Sequence, residues 1–143
     1  MNSATARIIN VASGAQSPID FDDLTLAKPG RAGQGYGHSK LAQIVFTMDL
    51  ARELQGRNVV VTALHPATMM DTNMVREAGM AARATVAEGA DALMRLIVAA
   101  EVVSGQYYNG LQPARANAQA YDEAAQTRLR EASLALTGPI GCR

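Results

Sequence analysis

A tyrosine and a lysine four residues apart are the pair with the clearest chemical use in this sequence. Tyr36 and Lys40 open a segment of helical periodicity, and residues four apart share one face of a helix. A phenol is a poor base at neutral pH, but a nearby cation favours its ionised form. Such a tyrosine can pass a proton to or from an alcohol or carbonyl oxygen. Ser13, just past the first expected strand, could hydrogen-bond the same oxygen.

Alternating strands and helices are predicted to position these residues. Apolar, β-branched runs indicate buried strands, and apolar residues three and four apart indicate helices. Strands are expected at residues 7–12, 58–64 and 106–109, and helices at 36–55, from 85 onward, and at 118–136. This order predicts an α/β fold with a parallel sheet and right-handed crossovers. Ligands of such sheets bind beyond the carboxyl ends of the strands, where Ser13 and His65-Pro66 both fall.

Each helix is expected to bury one apolar stripe. The first stripe consists of Leu41, Ile44, Val45, Met48, Ala51 and Leu54. The second helix begins with a Thr85–Glu88 capping box, and its inward residues are predicted to be Ala90, Leu93, Met94 and Ile97. The last helix should bury Tyr121, Leu129 and Leu136 and stop at Gly138-Pro139. Residues 16–35 and 68–83 are predicted to be loops.

Plainer interpretations stay open for several residues. Ser13 could simply cap a turn, and Tyr36 with Lys40 could be a solvated pair on a first helical turn. His38 is expected to be structural or solvent-facing, and His65 is expected to be a packing residue. Four methionines of the second loop could line an adaptable apolar pocket or pack a mobile loop onto the body. They are Met69, Met70, Met74 and Met80.

Composition argues against several classes of partner. Lys plus Arg and Asp plus Glu both number 13, and no basic run stands out, so neither nucleic acid nor an anionic membrane is the expected partner. The longest apolar runs are far shorter than a membrane helix needs. Two histidines are too few for a convincing metal site, and Cys142 cannot form an intrachain disulfide. With no signal-peptide core at the start, the chain is expected to be cytoplasmic.

Four ordered features together resemble the short-chain dehydrogenase/reductase family. They are a strand ending Asn10-Val11-Ala12-Ser13, the Tyr-x-x-x-Lys of Tyr36 and Lys40, the helix that this motif opens, and a strand ending His65-Pro66. The resemblance runs through essentially the whole chain and is closest to the retinol-dehydrogenase-like branch. It implies a partial Rossmann-like, doubly wound parallel sheet formed by the last three strands and their helices. Residues 1–143 would be a single domain, the carboxy-terminal portion of the family's domain.

The resemblance also implies roles for individual residues. Tyr36 would be the general acid/base, Lys40 would bind the ribose of NAD or NADP, and Ser13 would orient the substrate oxygen. Residues at the nicotinamide and phosphate would be Pro66, Ala67, Thr68, Met69 and Thr72. The family usually has glycine where this chain has Ala67. The implied reaction interconverts a secondary alcohol and a carbonyl by hydride transfer, and the methionine-rich loop together with the resemblance favours an apolar substrate.

The family's amino-terminal, dinucleotide-binding half has no counterpart in this sequence. No glycine-rich G-x-x-x-G-x-G turn follows a strand, although such a turn holds the cofactor pyrophosphate. The alternative to an active oxidoreductase is therefore an inactive fragment or assembly module, and the chain alone is expected to be inactive. The strand at residues 7–12 would then be an apolar edge, which predicts a homo-oligomer or a partner that supplies the missing half.

Overall fold

The computed structural model describes residues 5–138, in which four strands form one sheet. They are β1 (Ala6–Val11), β2 (Val59–His65), β3 (Gln106–Asn109) and β4 (Gln112–Ala114), in the spatial order β1-β2-β3-β4. The first three are parallel, which confirms the predicted α/β class, whereas β4 returns antiparallel to β3. β4 was not predicted from the sequence, because three residues that include a proline give no strand signal.

Four α-helices accompany the sheet within these residues. They are α1 (Gly35–Glu53), α2 (Asn73–Glu77), α3 (Val86–Val98) and α4 (Glu123–Thr137), with short 3-10 turns at Ala32–Gln34 and Ala118–Tyr121. None of these helices is long and apolar enough to cross a membrane. The predicted loop at 68–83 contains α2, and the predicted helix at 118–136 is broken at Asp122, whose carboxylate accepts the Ala124 amide to start α4. Pro139 and Cys142 lie outside the described residues.

The larger hydrophobic core lies between the sheet and α1. Leu41, Ile44 and Val45 are fully buried there, and Met48 is nearly so, which confirms most of the stripe predicted for this helix. Tyr107 of β3 packs in the same cluster. This core fixes α1 on the sheet, and α1 begins with the Tyr-x-x-x-Lys motif.

Helix α3 lies on the other face of the sheet, over a smaller core. Its start is the predicted capping box, but its buried residues are Gly89, Ala92 and Leu96. The prediction of its inward face was therefore wrong: Leu93 is only half-buried, and the other three predicted residues, Ala90, Met94 and Ile97, are exposed. The reason is that the spacing of apolar residues shows which face of a helix is apolar. It does not show which face is buried by the other elements of the chain.

An ion-pair cluster joins α4 to α1 on the outer side of the larger core. The buried carboxylate of Asp49 lies 3.0 Å from the Arg52 guanidinium and 2.6 Å from that of Arg130. Arg130 also reaches Glu53, at 2.8 Å. Leu136, predicted to be inward, is instead strongly exposed near the end of α4.

Candidate functional site

The first turns of α1 place a tyrosine and a lysine on one face of the helix. The Lys40 ammonium lies 5.8 Å from the centroid of the Tyr36 ring. It donates hydrogen bonds to the Val11 carbonyl at 3.2 Å and to Gln43 Oε1 at 3.3 Å. The Tyr36 side chain is 48% exposed. The pair therefore sits at the carboxyl end of β1, with the phenol open to solvent and a cation beside it.

Ser13 lies two residues past the end of β1 and is buried. Its Oγ accepts the Ala15 amide at 3.1 Å, so it does make the local turn bond considered from sequence. A hydroxyl that accepts one bond can still donate its own hydrogen. No hydrogen bond joins Ser13 to Tyr36 among residues 5–138, so their roles as catalytic partners stay a prediction.

Two side chains from outside β1 hold the Ser13 backbone in place. Tyr107 Oη donates to the Ser13 carbonyl at 3.1 Å, and Gln16 Nε2 donates to it at 3.2 Å. Burial raises the pKa of Tyr107, which keeps its hydroxyl protonated as a donor. From the sequence, Tyr107 was predicted only to lie in a strand, because no local pattern reveals a contact across 94 residues. Gln16 was placed in the loop with no role of its own.

The long segment between β1 and α1 is ordered by contacts with distant residues. The Gln119 side-chain amide forms two bonds with the backbone of Ile19, at 2.7 and 3.0 Å. The Ser17 amide donates to the Gly37 carbonyl at 3.2 Å. A side chain at Gly37 would overlap Ser17, so the glycine next to Tyr36 allows the segment and the helix to approach closely.

The end of β2 brings a histidine against the turn after Ser13. His65 is buried, its ring packs on Gly14, and its Nε2 lies 3.0 Å from the Thr68 hydroxyl. Burial lowers the pKa of His65 from its ordinary value of 6.5, so the imidazole is neutral at neutral pH. This packing role is the one expected for His65.

The residues after His65 form a loop whose two ends are held together by backbone contacts. Met70 and Ala84 form an isolated bridge, and the Arg83 amide donates to the Met69 carbonyl at 2.9 Å. Thr72 precedes α2 without capping it through its side chain. The predicted cofactor-side residues Pro66, Ala67, Met69 and Thr72 are partly exposed and Thr68 is exposed, all near the carboxyl end of β2.

The methionines of this loop divide between the two roles left open by the sequence. The Met70 side chain packs over Gly89 of α3 and fastens the loop to the body. Met74 and Met80 are exposed, so they remain available to an apolar ligand. The ends of the loop are thus fixed to the body of the protein, and its outer part carries exposed apolar side chains.

A parallel α/β sheet with polar groups gathered at the carboxyl ends of β1 and β2 defines a Rossmann-like protein. The family model for short chain dehydrogenase matches residues 1–83. Human retinol dehydrogenase 11 is 34% identical over 149 residues, covering 95% of this chain and 46% of the relative. Human retinol dehydrogenase 13 is 35% identical over 156 residues, covering 95% of this chain and 47% of the relative.

A solved structure of an uncharacterized protein from Mycobacterium paratuberculosis is also similar, with a TM-score of 0.68 at 25% identity. The match covers 93% of this chain and 50% of that one. The chain therefore spans about half the length of the relatives it matches. It belongs to the short-chain dehydrogenase family, in the retinol-dehydrogenase-like branch, as the sequence predicted.

Proposed function

We propose that this chain is the proton-transferring part of an NAD(P)-dependent oxidoreductase that interconverts an alcohol and a carbonyl compound. The observation that carries the proposal is the Tyr36 phenol beside the Lys40 ammonium at the carboxyl end of β1. Family membership supports an oxidoreductase of this type. The names of the relatives, retinol dehydrogenases, favour an apolar alcohol or aldehyde as substrate, and the exposed Met74 and Met80 suit such a ligand.

Each of the three polar side chains has a distinct part in this proposal. Tyr36 exchanges a proton with the substrate oxygen, since this residue is about half exposed and a ligand can approach it. Lys40 provides a positive charge beside the phenol. Ser13 donates its remaining hydroxyl hydrogen to the same oxygen, and Tyr107 and Gln16 keep its backbone in position.

The described residues fit the nicotinamide side of a dinucleotide better than its pyrophosphate side. Lys40 and Thr72 would hold ribose and phosphate oxygens of the cofactor, and the partly exposed residues Pro66, Ala67 and Met69 would line its nicotinamide side. The nicotinamide, when bound, supplies or accepts the hydride. No glycine-rich turn for the pyrophosphate is found in the sequence, so we expect this chain to bind the cofactor weakly by itself.

The second candidate is a module that has kept these residues and does not turn over substrate. The observation that favours it is that residues 1–143 contain no glycine-rich turn for the pyrophosphate. A site that lacks its pyrophosphate contacts loses much of its cofactor affinity. The two candidates differ in whether a companion segment restores binding and turnover.

Titration with NADH and NADPH, followed by cofactor fluorescence, separates the candidates. The chain has no tryptophan to interfere. We expect weak binding by the chain alone. We expect saturable binding after co-expression with the half of human retinol dehydrogenase 11 that the chain does not match. Turnover of retinol by that complex should fall roughly 10²- to 10⁴-fold in Tyr36→Phe.

The matched control is Tyr108→Phe, because Tyr108 is buried in the smaller core on the other face of the sheet. It should leave turnover near the unsubstituted level. Full activity in Tyr36→Phe contradicts the oxidoreductase mechanism proposed here. Saturable cofactor binding without turnover in the unsubstituted complex favours the inactive module.

A further inference from the structure

The segment between β1 and α1 is joined to the 3-10 turn before α4 by two glutamine side chains that bond in opposite directions. Gln119, on the turn, accepts the Ile19 amide through Oε1 at 2.7 Å and donates to the Ile19 carbonyl through Nε2 at 3.0 Å. Gln16, on the segment, accepts the Asn117 amide at 2.7 Å. We call these three hydrogen bonds the glutamine clasp.

The 3-10 turn is the fixed side of the clasp. Ala120 of this turn is fully buried in the larger core. The Asn117 side chain accepts the Gln119 amide at 3.0 Å, and the Tyr121 hydroxyl accepts the Ala116 amide at 3.0 Å. The backbone around Gln119 is therefore held by the core and by its own hydrogen bonds, independently of the segment.

The other side of the clasp leads to the two candidate catalytic residues that the segment connects. One clasp residue, Gln16, also donates to the Ser13 carbonyl at 3.2 Å. Ser17, which lies between the two clasped positions, donates its amide to the Gly37 carbonyl at 3.2 Å, next to Tyr36. The clasp thus holds the backbone between a contact with Ser13 and a contact with the first turn of α1.

Gln119 satisfies both backbone groups of a buried residue. Ile19 is only 7% exposed and packs in the larger core, and buried backbone amides and carbonyls need hydrogen-bond partners. Within residues 5–138 the amide and the carbonyl of Ile19 bond to Gln119 alone. A glutamine can serve both, because its side chain carries an acceptor and donors. Without it, the backbone at Ile19 must move to find other partners.

A second attachment of the segment to α4 is weaker and lies farther from Ser13. The Arg128 guanidinium is 3.1 Å from the Asp22 carboxylate, and the two side chains are 55% and 83% exposed. Exposed ion pairs of this kind contribute little. The same guanidinium lies 4.7 Å from the centroid of the Phe21 ring. The clasp is therefore the attachment that can hold the part of the segment next to Ser13.

We infer that Gln119 is a positioning residue, which fixes Ser13 and Tyr36 relative to each other by holding Ile19 on the 3-10 turn. No hydrogen bond joins Ser13 to Tyr36 within the described part of the chain, so the backbone between them sets their separation. Proton transfer is sensitive to displacements of about 1 Å, and supporting hydrogen bonds provide such precision. The consequence for turnover rests on the proposed function, whereas the clasp itself does not.

Amide hydrogen exchange measured by NMR on the chain and on Gln119→Ala tests this inference. The reporters are the amides of Ala15 and Ser17, which bond to Ser13 Oγ and to the Gly37 carbonyl and make no bond to Gln119. We expect both to exchange at least about tenfold faster in the variant. Circular dichroism should show that the variant remains folded.

The matched control is Thr85→Ala, which also removes a hydrogen bond between a side chain and the backbone, but at the start of α3 on the other face of the sheet. It should leave the amides of Ala15 and Ser17 unchanged. Gln119→Glu is the conservative variant. Its carboxylate still accepts the Ile19 amide and cannot donate to the Ile19 carbonyl, so the exchange rates should lie between those of the chain and of Gln119→Ala.

The kinetic test uses the complex with the unmatched half of human retinol dehydrogenase 11 described above. In Gln119→Ala we expect kcat for retinol to fall about tenfold or more, while KM for NADPH changes less than about twofold. A merely structural role would lower the yield of folded protein and leave kcat per folded molecule unchanged. Thr85→Ala should retain kcat, and Gln119→Glu should recover part of it.

Two results would overturn the inference. In one, only the Ile19 amide exchanges faster in Gln119→Ala, which would mean that the clasp does not reach Ser13 or the first turn of α1. In the other, Thr85→Ala accelerates the same amides equally, which would reduce the effect to a general loss of stability. If the exchange rates change as expected and the unsubstituted complex has no turnover, the positioning stands and the oxidoreductase proposal fails.

Discussion

Helices α1 and α3 pack on opposite faces of one sheet, and only α1 has its predicted apolar stripe covered. On the α1 face, ten buried residues form a continuous core that includes residues of all three parallel-strand regions and of the segment before α4. On the α3 face, the core has four buried residues. Three of the four residues predicted to face inward on α3 are exposed instead.

The difference shows what helical periodicity can and cannot establish. An apolar stripe indicates that a face is suited to burial, and it does so equally for both helices. Whether the chain itself supplies the cover depends on tertiary contacts. α1 is covered by the sheet and joined to α4 through Asp49 and Arg130, whereas Ala90, Met94 and Ile97 of α3 stay exposed within the described residues.

The largest effect expected from this comparison is on unfolding free energy. Leu41→Ala should lower it by about 2–5 kcal/mol, because a fully buried leucine leaves a cavity. Met94→Ala should change it by less than about 0.5 kcal/mol, since the side chain is half-exposed. Urea denaturation followed by circular dichroism measures both. Equal losses would show that Met94 is buried in solution and that the contrast between the two helices is wrong.

Most elements of the fold could be predicted because their signals are local. The strand at residues 106–109 and the Thr85–Glu88 capping box were predicted with the observed residues. The break at Asp122 between two helical segments was not predicted. Asp122 ends one helical segment and starts the next through its side-chain bond to the Ala124 amide, and an aspartate inside a periodic helix pattern gives little warning of that role.

The candidate site could be predicted only in part, for a similar reason. The spacing of Tyr36 and Lys40 places them together on α1, whatever the rest of the chain does. The bonds that order the neighbouring backbone join residues about a hundred positions apart, as in Gln119 and Ile19 or Tyr107 and Ser13. Such contacts depend on the strand order, which a single sequence does not specify.

A smaller effect concerns the side-chain cap that stabilises the start of α3. The Thr85 hydroxyl accepts the Glu88 amide at 3.1 Å and thereby caps the helix. Thr85→Ala should cost about 1 kcal/mol of unfolding free energy. Thr72→Ala is the control, because Thr72 stands at the same position before α2 and makes no such bond. If both substitutions cost the same, the cap does not help to hold α3 in place.

The smallest effect concerns pH and the end of the larger core, where His65 packs on Gly14. Burial lowers the pKa of His65 below 6.5 in the folded protein, so the unfolded chain binds this proton more readily than the folded one. Stability from this source is therefore complete above about pH 6.5 and declines as the pH falls below it.

We expect the thermal midpoint of unfolding to decrease when the pH is lowered from about 7.5 to about 5.5. The decrease should be smaller in His65→Gln. Differential scanning calorimetry at the two pH values measures the effect. An unchanged pH dependence in His65→Gln would mean that the imidazole is already solvated, and that the core on the α1 face ends before the turn that holds Ser13.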